Sequence, residues 1–331
     1  MKKVKIGFIG CGKIATCSHA PEFLKIPGKT EISALYDVKA ESAQNLKAKN
    51  KVEAETYASV KELLASGIAG VVISTPNSLH YELTMQALNS GVNVLVEKPM
   101  AATLKEADEM IALARKKKLV LQVNQSVRFV PAYVKIKQLI EQGKIGDPVH
   151  IRCLRASGST PDQGWSPGAK WFIQKKFAGG LIMDIAVHMA DMLGWYFGKA
   201  RNVYSINQTK IKGNDVPDNV TALFDFENGA TGVLELSWTI PVGGGLLEIY
   251  GSKGTIRHGF NQGNIEMCLA GGKYKTIKPC KYQTSQEWFA DSIRGLPRCP
   301  ALGGVGRHAL AYTLAIAESG EKNKAVKPSI N

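Results

Sequence analysis

Val4-Lys5-Ile6-Gly7-Phe8-Ile9-Gly10-Cys11-Gly12-Lys13-Ile14-Ala15 is the stretch from which the fold is read. An apolar run of strand length enters a Gly-x-Gly-x-x-Ala turn, and a helical pattern follows. Gly10 permits the tight turn. Gly12 has no Cβ, so a pyrophosphate can approach the backbone there, and Ala15 keeps the helix close to the sheet. Lys13 and Ile14 open that helix, whose N-terminus favours negative charge. The next strand ends in Asp37, 22 residues beyond Ala15. A carboxylate there accepts hydrogen bonds from ribose hydroxyls and repels a 2′-phosphate. The expected cofactor is therefore NAD rather than NADP, with Lys39 softening the repulsion.

Outward from this turn the alternation continues. Strand-like runs at 4–9, 31–36, 70–74, 93–96 and 120–123 alternate with helical patterns at 40–49, 60–65, 81–90 and 104–117. Such alternation implies βαβ units and a parallel sheet. After Pro131 the pattern changes. A helix at 132–142 leads to a strand at 149–155, a Gly/Ser/Pro-rich loop at 157–170 and a helix at 182–197. Residues 203–277 read mostly as strands, with Asn228-Gly229 marking a hairpin. Two helices, at 286–295 and 307–319, close the chain. The fold class expected is α/β: an N-terminal Rossmann domain, 1–124, and a C-terminal α+β domain, 125–331, with an open, largely antiparallel sheet.

Composition narrows the class. The 331 residues are 44% hydrophobic and 21% charged, which excludes disorder and collagen-like repeats. No uninterrupted apolar run reaches the ~18 residues of a membrane helix, and the N-terminal apolar run is too short for a signal peptide. A cytoplasmic protein without membrane partners is expected. The formal charge is +14, from 42 Lys and Arg against 28 Asp and Glu. These basic residues are scattered, and the run Arg115-Lys116-Lys117-Lys118 reads as a solvated helix end. No nucleic-acid partner is expected. Six cysteines form no CxxC pair or zinc-finger spacing, so no metal is expected, and buried unpaired thiols are.

Two further groups of residues carry chemistry. Ser74-Thr75-Pro76-Asn77 with His80, and Glu97-Lys98-Pro99, lie at strand ends, where open α/β sheets bind ligands. A partly desolvated Lys98 is a fixed positive charge suited to a developing alkoxide. Further along, Asp184, His188 and Asp191 fall at i, i+4 and i+7 of an otherwise apolar helix preceded by Gly179-Gly180. Histidine suits proton transfer near neutral pH; a buried His–Asp pair or a metal site would use the same residues.

Together these motifs resemble the Gfo/Idh/MocA oxidoreductases, relatives of glucose–fructose oxidoreductase and inositol dehydrogenase, in order and over nearly the whole chain. The resemblance implies a nicotinamide cofactor, a sugar or polyol substrate, and a homodimer or homotetramer formed through the C-terminal sheet. It makes Lys98 the contact to the reacting hydroxyl or carbonyl and His188 the general base or acid. Asp184 becomes the residue that positions substrate and assists the proton relay. The resemblance also makes Asn124, Arg128, Arg155 and Trp165 candidate substrate-binding residues and Trp171 a candidate neighbour of the nicotinamide; a structural ion pair or core packing would use the same side chains. Ser74, Thr75, Pro76, Asn77, His80 and Glu97 join Gly10, Gly12, Lys13, Ile14, Asp37 and Lys98 as cofactor-binding candidates. Alanine stands at 178 and 186, where the family often has glycine; both are small changes. The expected activity is hydride transfer between nicotinamide and a secondary alcohol or ketone. The alternative is a glycosidase or epimerase that retains NAD and acts by transient oxidation. That enzymatic reading needs an ammonium and an imidazole to reach one carbon atom.

Overall fold

The structure, a computed structural model, describes residues 2–330 except 261, 262 and 298. Its contacts divide into two units. The first contains the residues up to Gln125 together with Gln283–Arg307; the second contains Ser126–Tyr282 and the residues from His308 onward.

In the first unit, β1 (Val4–Ile9) leads through the glycine turn into a π-helical segment, Ala15–His19, and α1, Ala20–Leu24. There follow β2 (Thr30–Tyr36), α2 (Ala40–Asn50), β3 (Glu55–Thr56), α3 (Val60–Ala65) and β4 (Gly70–Ile73). Next come α4 (His80–Asn89), β5 (Asn93–Val96), α5 (Leu104–Lys117) and β6 (Leu121–Val123). All paired strands are parallel, in the order β3-β2-β1-β4-β5-β6. The order reverses beside β1, which puts the glycine turn at the switch point of a doubly wound sheet. Every residue of β4 is buried, as expected of a strand covered on both faces. A capping box joins Thr103 and Glu106 at the start of α5, and residues 115–118 are its exposed basic end.

Unlike the single cut expected near residue 124, the chain returns to this unit. In that return α8 (Ser285–Ile293) packs Phe289, wholly buried, into the core with Phe8, Phe23 and Leu35. Gln122 Nε2 donates to the Ser285 carbonyl at 2.8 Å. The N–H of Val123 donates to the Ala301 carbonyl at 3.0 Å, so the returning chain also covers the open edge of β6. Nothing in the alternating pattern marks such a return, because the helix at 286–295 reads the same whichever core it joins.

The second unit carries α6 (Pro131–Glu141), β7 (Pro148–Ala156) and α7 (Val187–Phe197), then strands β8 (Ala200–Gln208), β9 (Asn219–Phe226) and β10 (Thr231–Ser237). It continues with β11 (Gly244–Gly251), β12 (Gly254–Gly259), β13 (Ile265–Leu269) and β14 (Lys275–Ile277). Helix α8 (Ser285–Ile293) belongs to the first unit, and α9 (Gly303–Lys322) closes the fold. The eight strands lie in the order β14-β13-β12-β11-β7-β10-β9-β8, antiparallel except for β7 with β10. β9 and β10 pair around Asn228-Gly229 as the hairpin reading requires, Asp225 facing Thr231. Ile136, Leu193, Tyr312 and Ile316 pack with Leu234, Leu247 and Ile249 in one core, so the helices cover one sheet face. Val149, Ile206 and Leu223 are exposed on strands of the same sheet.

The helix expected over 182–197 begins instead as a π-helical segment, Ile182–Ala186. Residues 175–197 are long and apolar enough to cross a membrane by length and composition, but 67% of the most apolar window is buried within the fold. The strict count of uninterrupted apolar residues passes over this stretch because Asp184, His188 and Asp191 punctuate it.

Candidate active site

The glycine turn is built for a close ligand. Gly10 has φ +89°, and a Cβ there would lie 2.6 Å from the Ser74 carbonyl oxygen. At Gly12 a Cβ would meet nothing within 4 Å, so the missing side chain opens the turn to solvent. The turn is held from three sides. The N–H of Gly10 donates to the Tyr36 carbonyl at 2.9 Å. Ser74 Oγ donates to the Gly10 carbonyl at 2.8 Å, and Thr16 Oγ1 to that of Cys11 at 3.1 Å. Asp37 is aimed at the turn: its carboxylate accepts the Cys11 N–H at 2.7 Å and the Lys39 N–H at 2.9 Å. Burial, with the Asp37 charge adding to it, pushes the Cys11 thiol up to about 12, so that thiol stays neutral. An open turn before a helix N-terminus, with an oriented carboxylate at the end of the second strand, fits a dinucleotide.

The strand ends beside the turn carry the next group. His80 is wholly buried, its Nδ1 2.7 Å from the Pro99 carbonyl and its Nε2 3.0 Å from that of Thr75. Burial holds its pKa below the ordinary value, so the ring is neutral and its single N–H braces one of the two turns at a time. Asn77 is buried and Lys98 half-buried. Glu97 is anchored more heavily. His19 Nε2 lies 2.9 Å from Glu97 Oε1, and Asn124 Nδ2 donates to the same oxygen at 2.6 Å. The Lys98 N–H reaches Glu97 Oε2 at 3.2 Å. Burial alone would raise this carboxyl. The His19 hydrogen bond, the Lys98 charge and the Asn124 bond outweigh it, holding Glu97 below the usual carboxylate range. His19 and Gln125 had no place in the sequence reading. Gln125 is only 1% exposed, and neither polar atom of its amide has a hydrogen-bond partner among the described residues.

In the second unit the glycine pair serves close approach. A Cβ on Gly179 would lie 2.4 Å from the Trp171 carbonyl oxygen, and Gly180 has φ +104°. Ala178 occupies the left-handed region, φ +52°, where an alanine costs roughly 1–2 kcal/mol against glycine, so this departure is conformational as well as steric. Asp184 and His188 are both buried. Asp184 falls inside the π-helical segment, so the i, i+4, i+7 spacing does not make one α-helical stripe of these residues with Asp191. Asp191 is committed elsewhere. It takes Arg128 bidentately, Nε at 2.7 Å and Nη2 at 2.8 Å, while the guanidinium also lies over the Trp195 ring at 5.1 Å. Arg128, expected at the substrate, is thus engaged inside its own unit. Arg155 is exposed, its guanidinium carbon 5.7 Å from the Phe260 ring. Trp171 stacks on Phe172 at 3.7 Å, and Trp165, 45% exposed, meets the same ring edge-on at 5.8 Å.

Of the six cysteines only Cys11, Cys153 and Cys299 are buried; Cys17 is exposed and accepts a hydrogen bond from Lys49 Nζ at 3.3 Å. No disulfide joins any two of the six. Among the described residues no three His, Cys, Asp or Glu side chains gather as a metal-binding set.

Comparison with known proteins places these features in a family. Residues 4–125 match the oxidoreductase family's NAD-binding Rossmann fold, and residues 133–257 match the GFO/IDH/MocA C-terminal domain. The chain belongs to the Gfo/Idh/MocA oxidoreductases, and residues 4–125 are its NAD-binding domain. It is 28% identical over 308 residues to the 1,5-anhydro-D-fructose reductase of Ensifer adhaerens, covering 90% of this chain and 91% of that one. It is 29% identical over 261 residues to the myo-inositol 2-dehydrogenase of Thermotoga maritima, covering 76% and 74%. The fold superposes on levoglucosan dehydrogenase in complex with NADH and L-sorbose with a TM-score of 0.89, at 23% identity and full coverage of both chains.

Proposed function

We propose that this chain is an NAD(H)-dependent dehydrogenase acting on a secondary alcohol or ketone of a sugar, polyol or sugar derivative. The observation that carries the reading is Lys98, half-buried at the C-terminal edge of the NAD-binding sheet beside a buried carboxylate held ionised. The nicotinamide supplies the hydride acceptor or donor when bound. The turn of Gly10, Gly12, Lys13 and Ile14 takes the pyrophosphate, and Asp37 takes the ribose hydroxyls. Ser74, Thr75, Pro76 and Asn77 form the neighbouring wall, braced from beneath by His80. In this reading the Lys98 ammonium donates to the reacting oxygen, lowering the pKa of a hydroxyl or polarising a carbonyl. His188 removes the hydroxyl proton during oxidation and returns it during reduction, and Asp184 orients substrate and imidazole. Asn124, Arg155 and Trp165 border the substrate. Arg128 contributes through Asp191, fixing α7. The exposed apolar side chains on the second sheet favour self-association through that face. The names of the relatives support the substrate class.

Two expected results follow. In a panel of polyols, aldoses, sugar acids and sugar phosphates, at least one member should change the NADH absorbance stoichiometrically. No signal with any member, and tightly held NAD in the purified protein, would turn the reading towards a cofactor-retaining glycosidase or epimerase. Asp37→Ser removes the carboxylate and should weaken NAD binding about 10- to 100-fold, the worth of a charge-assisted hydrogen bond. The same change should narrow the gap between NAD and NADP in fluorescence titrations. An unchanged NAD Kd would remove Asp37 from the ribose.

A further inference from the structure

Four buried side chains from four separate elements meet behind Lys98 in the first unit. His19 ends the π-helical segment that follows the glycine turn, Glu97 follows β5, Asn124 follows β6, and Gln286 lies on α8. Their exposures are 0%, 8%, 4% and 4%. Gln286 Nε2 lies 2.9 Å from His19 Nδ1, and His19 Nε2 lies 2.9 Å from Glu97 Oε1. With the amide donating to Nδ1, the ring proton sits on Nε2 and is donated to the carboxylate. Burying a carboxylate is costly unless donors surround it. Here three N–H groups do, and one of them is the backbone N–H of Lys98 itself.

We propose that His19 and Gln286 are positioning residues for Lys98. Gln286 fixes the imidazole tautomer, the imidazole N–H keeps Glu97 ionised, and the Glu97 carboxylate holds the Lys98 peptide and the charge of its ammonium. The chain of contacts also ties the helix that opens at the nucleotide turn to the lysine. This inference rests on the role proposed for Lys98, but its first test does not.

The titratable groups coupled to Glu97 are His19, Lys98 and His80. Its carboxyl is depressed in the folded protein, so in the parent it contributes stability above its unfolded pKa, and that contribution is lost as pH falls through the lower folded value. His19→Leu keeps the bulk and removes the donor; burial, the largest single influence on this carboxyl, is then expected to outweigh the Lys98 charge and the Asn124 bond and to raise it above its unfolded value. The sign then reverses, and the folded state weakens as pH rises. Thermal unfolding of the cofactor-free protein at pH 5 to 8 reads this directly. The deficit in Tm of His19→Leu relative to the parent should grow with pH, while that of His19→Gln, which restores an N–H donor, should stay flat.

The second measurement is the pH profile of kcat/KM. Its acid limb should move up by about one pH unit in His19→Leu, an about tenfold loss on the acid side, and return in His19→Gln. Should His19→Leu fail to fold, Gln286→Leu, one bond further out, should show both trends at smaller amplitude. A Tm deficit independent of pH reduces His19 to a packing residue. A pH-dependent deficit with an unmoved acid limb shows a buried network that does not act through Lys98. Either result overturns the proposal. Failure of the Lys98 assignment itself would show separately, as normal turnover in Lys98→Ala.

Discussion

Lys98→Ala should lower kcat/KM by about 10²- to 10³-fold, the usual cost of removing one preorganised donor at developing charge. NAD affinity, measured by fluorescence titration without substrate, should change far less. The lysine is half-buried, follows the C-terminal end of a central parallel strand, and adjoins a carboxylate that three N–H groups keep charged. A positive charge so placed interacts with an alkoxide in an environment less screening than water, and it needs no reorganisation when the charge forms. Lys98→Met, with a stem of similar length, should be as impaired as alanine, because shape without charge does not polarise an oxygen. A kcat/KM within a few-fold of the parent for either variant sinks the assignment.

His188→Asn should reduce kcat by about 10²- to 10⁴-fold, the range for loss of a general acid–base. Asparagine keeps hydrogen-bonding capacity but cannot exchange a proton near neutral pH. The deficit should therefore be partly restored by millimolar imidazole, provided the cavity left by the ring admits it. NAD binding should be unaffected, since the residues proposed to hold NAD do not include His188. Asp184→Asn should cost less than His188→Asn, because an orienting group is replaced by another polar group of the same shape. Equal turnover in His188→Asn and parent would assign the proton to another group, and the proposed division of labour would fall with it.

Much of the fold was legible because its signals are local. Gly10, Gly12 and Asp37 announce a nucleotide turn from their spacing, and the Asn228-Gly229 hairpin from two residues. The parallel order of the first sheet follows from alternation and the handedness of crossovers. What stayed hidden depends on contacts between residues far apart in sequence. Nothing near His19 distinguishes it from any helical histidine, since its partners Glu97 and Gln286 lie 78 and 267 residues away. Arg128 read as a candidate substrate-binding residue because its carboxylate partner is 63 residues distant. The π-helical start of α7 was illegible for another reason. A change from i+4 to i+5 bonding leaves the apolar composition untouched.

The return of 283–307 to the first unit has a bearing on how the chain acquires its structure. Gly70, in the centre of the parallel sheet, leaves its Cβ direction to Phe289 and Ile293, at 2.9 and 2.8 Å. A fragment ending at residue 125 would expose that groove and leave the flank of β6 unpaired. As the polypeptide leaves the ribosome, its nucleotide-binding portion is therefore unfinished until residues 283–307 emerge. The intervening portion must be made before the earlier one can close its interior. The order of synthesis and the order of completion are inverted, and the loop that must be closed, residues 126–282, spans nearly half of the chain.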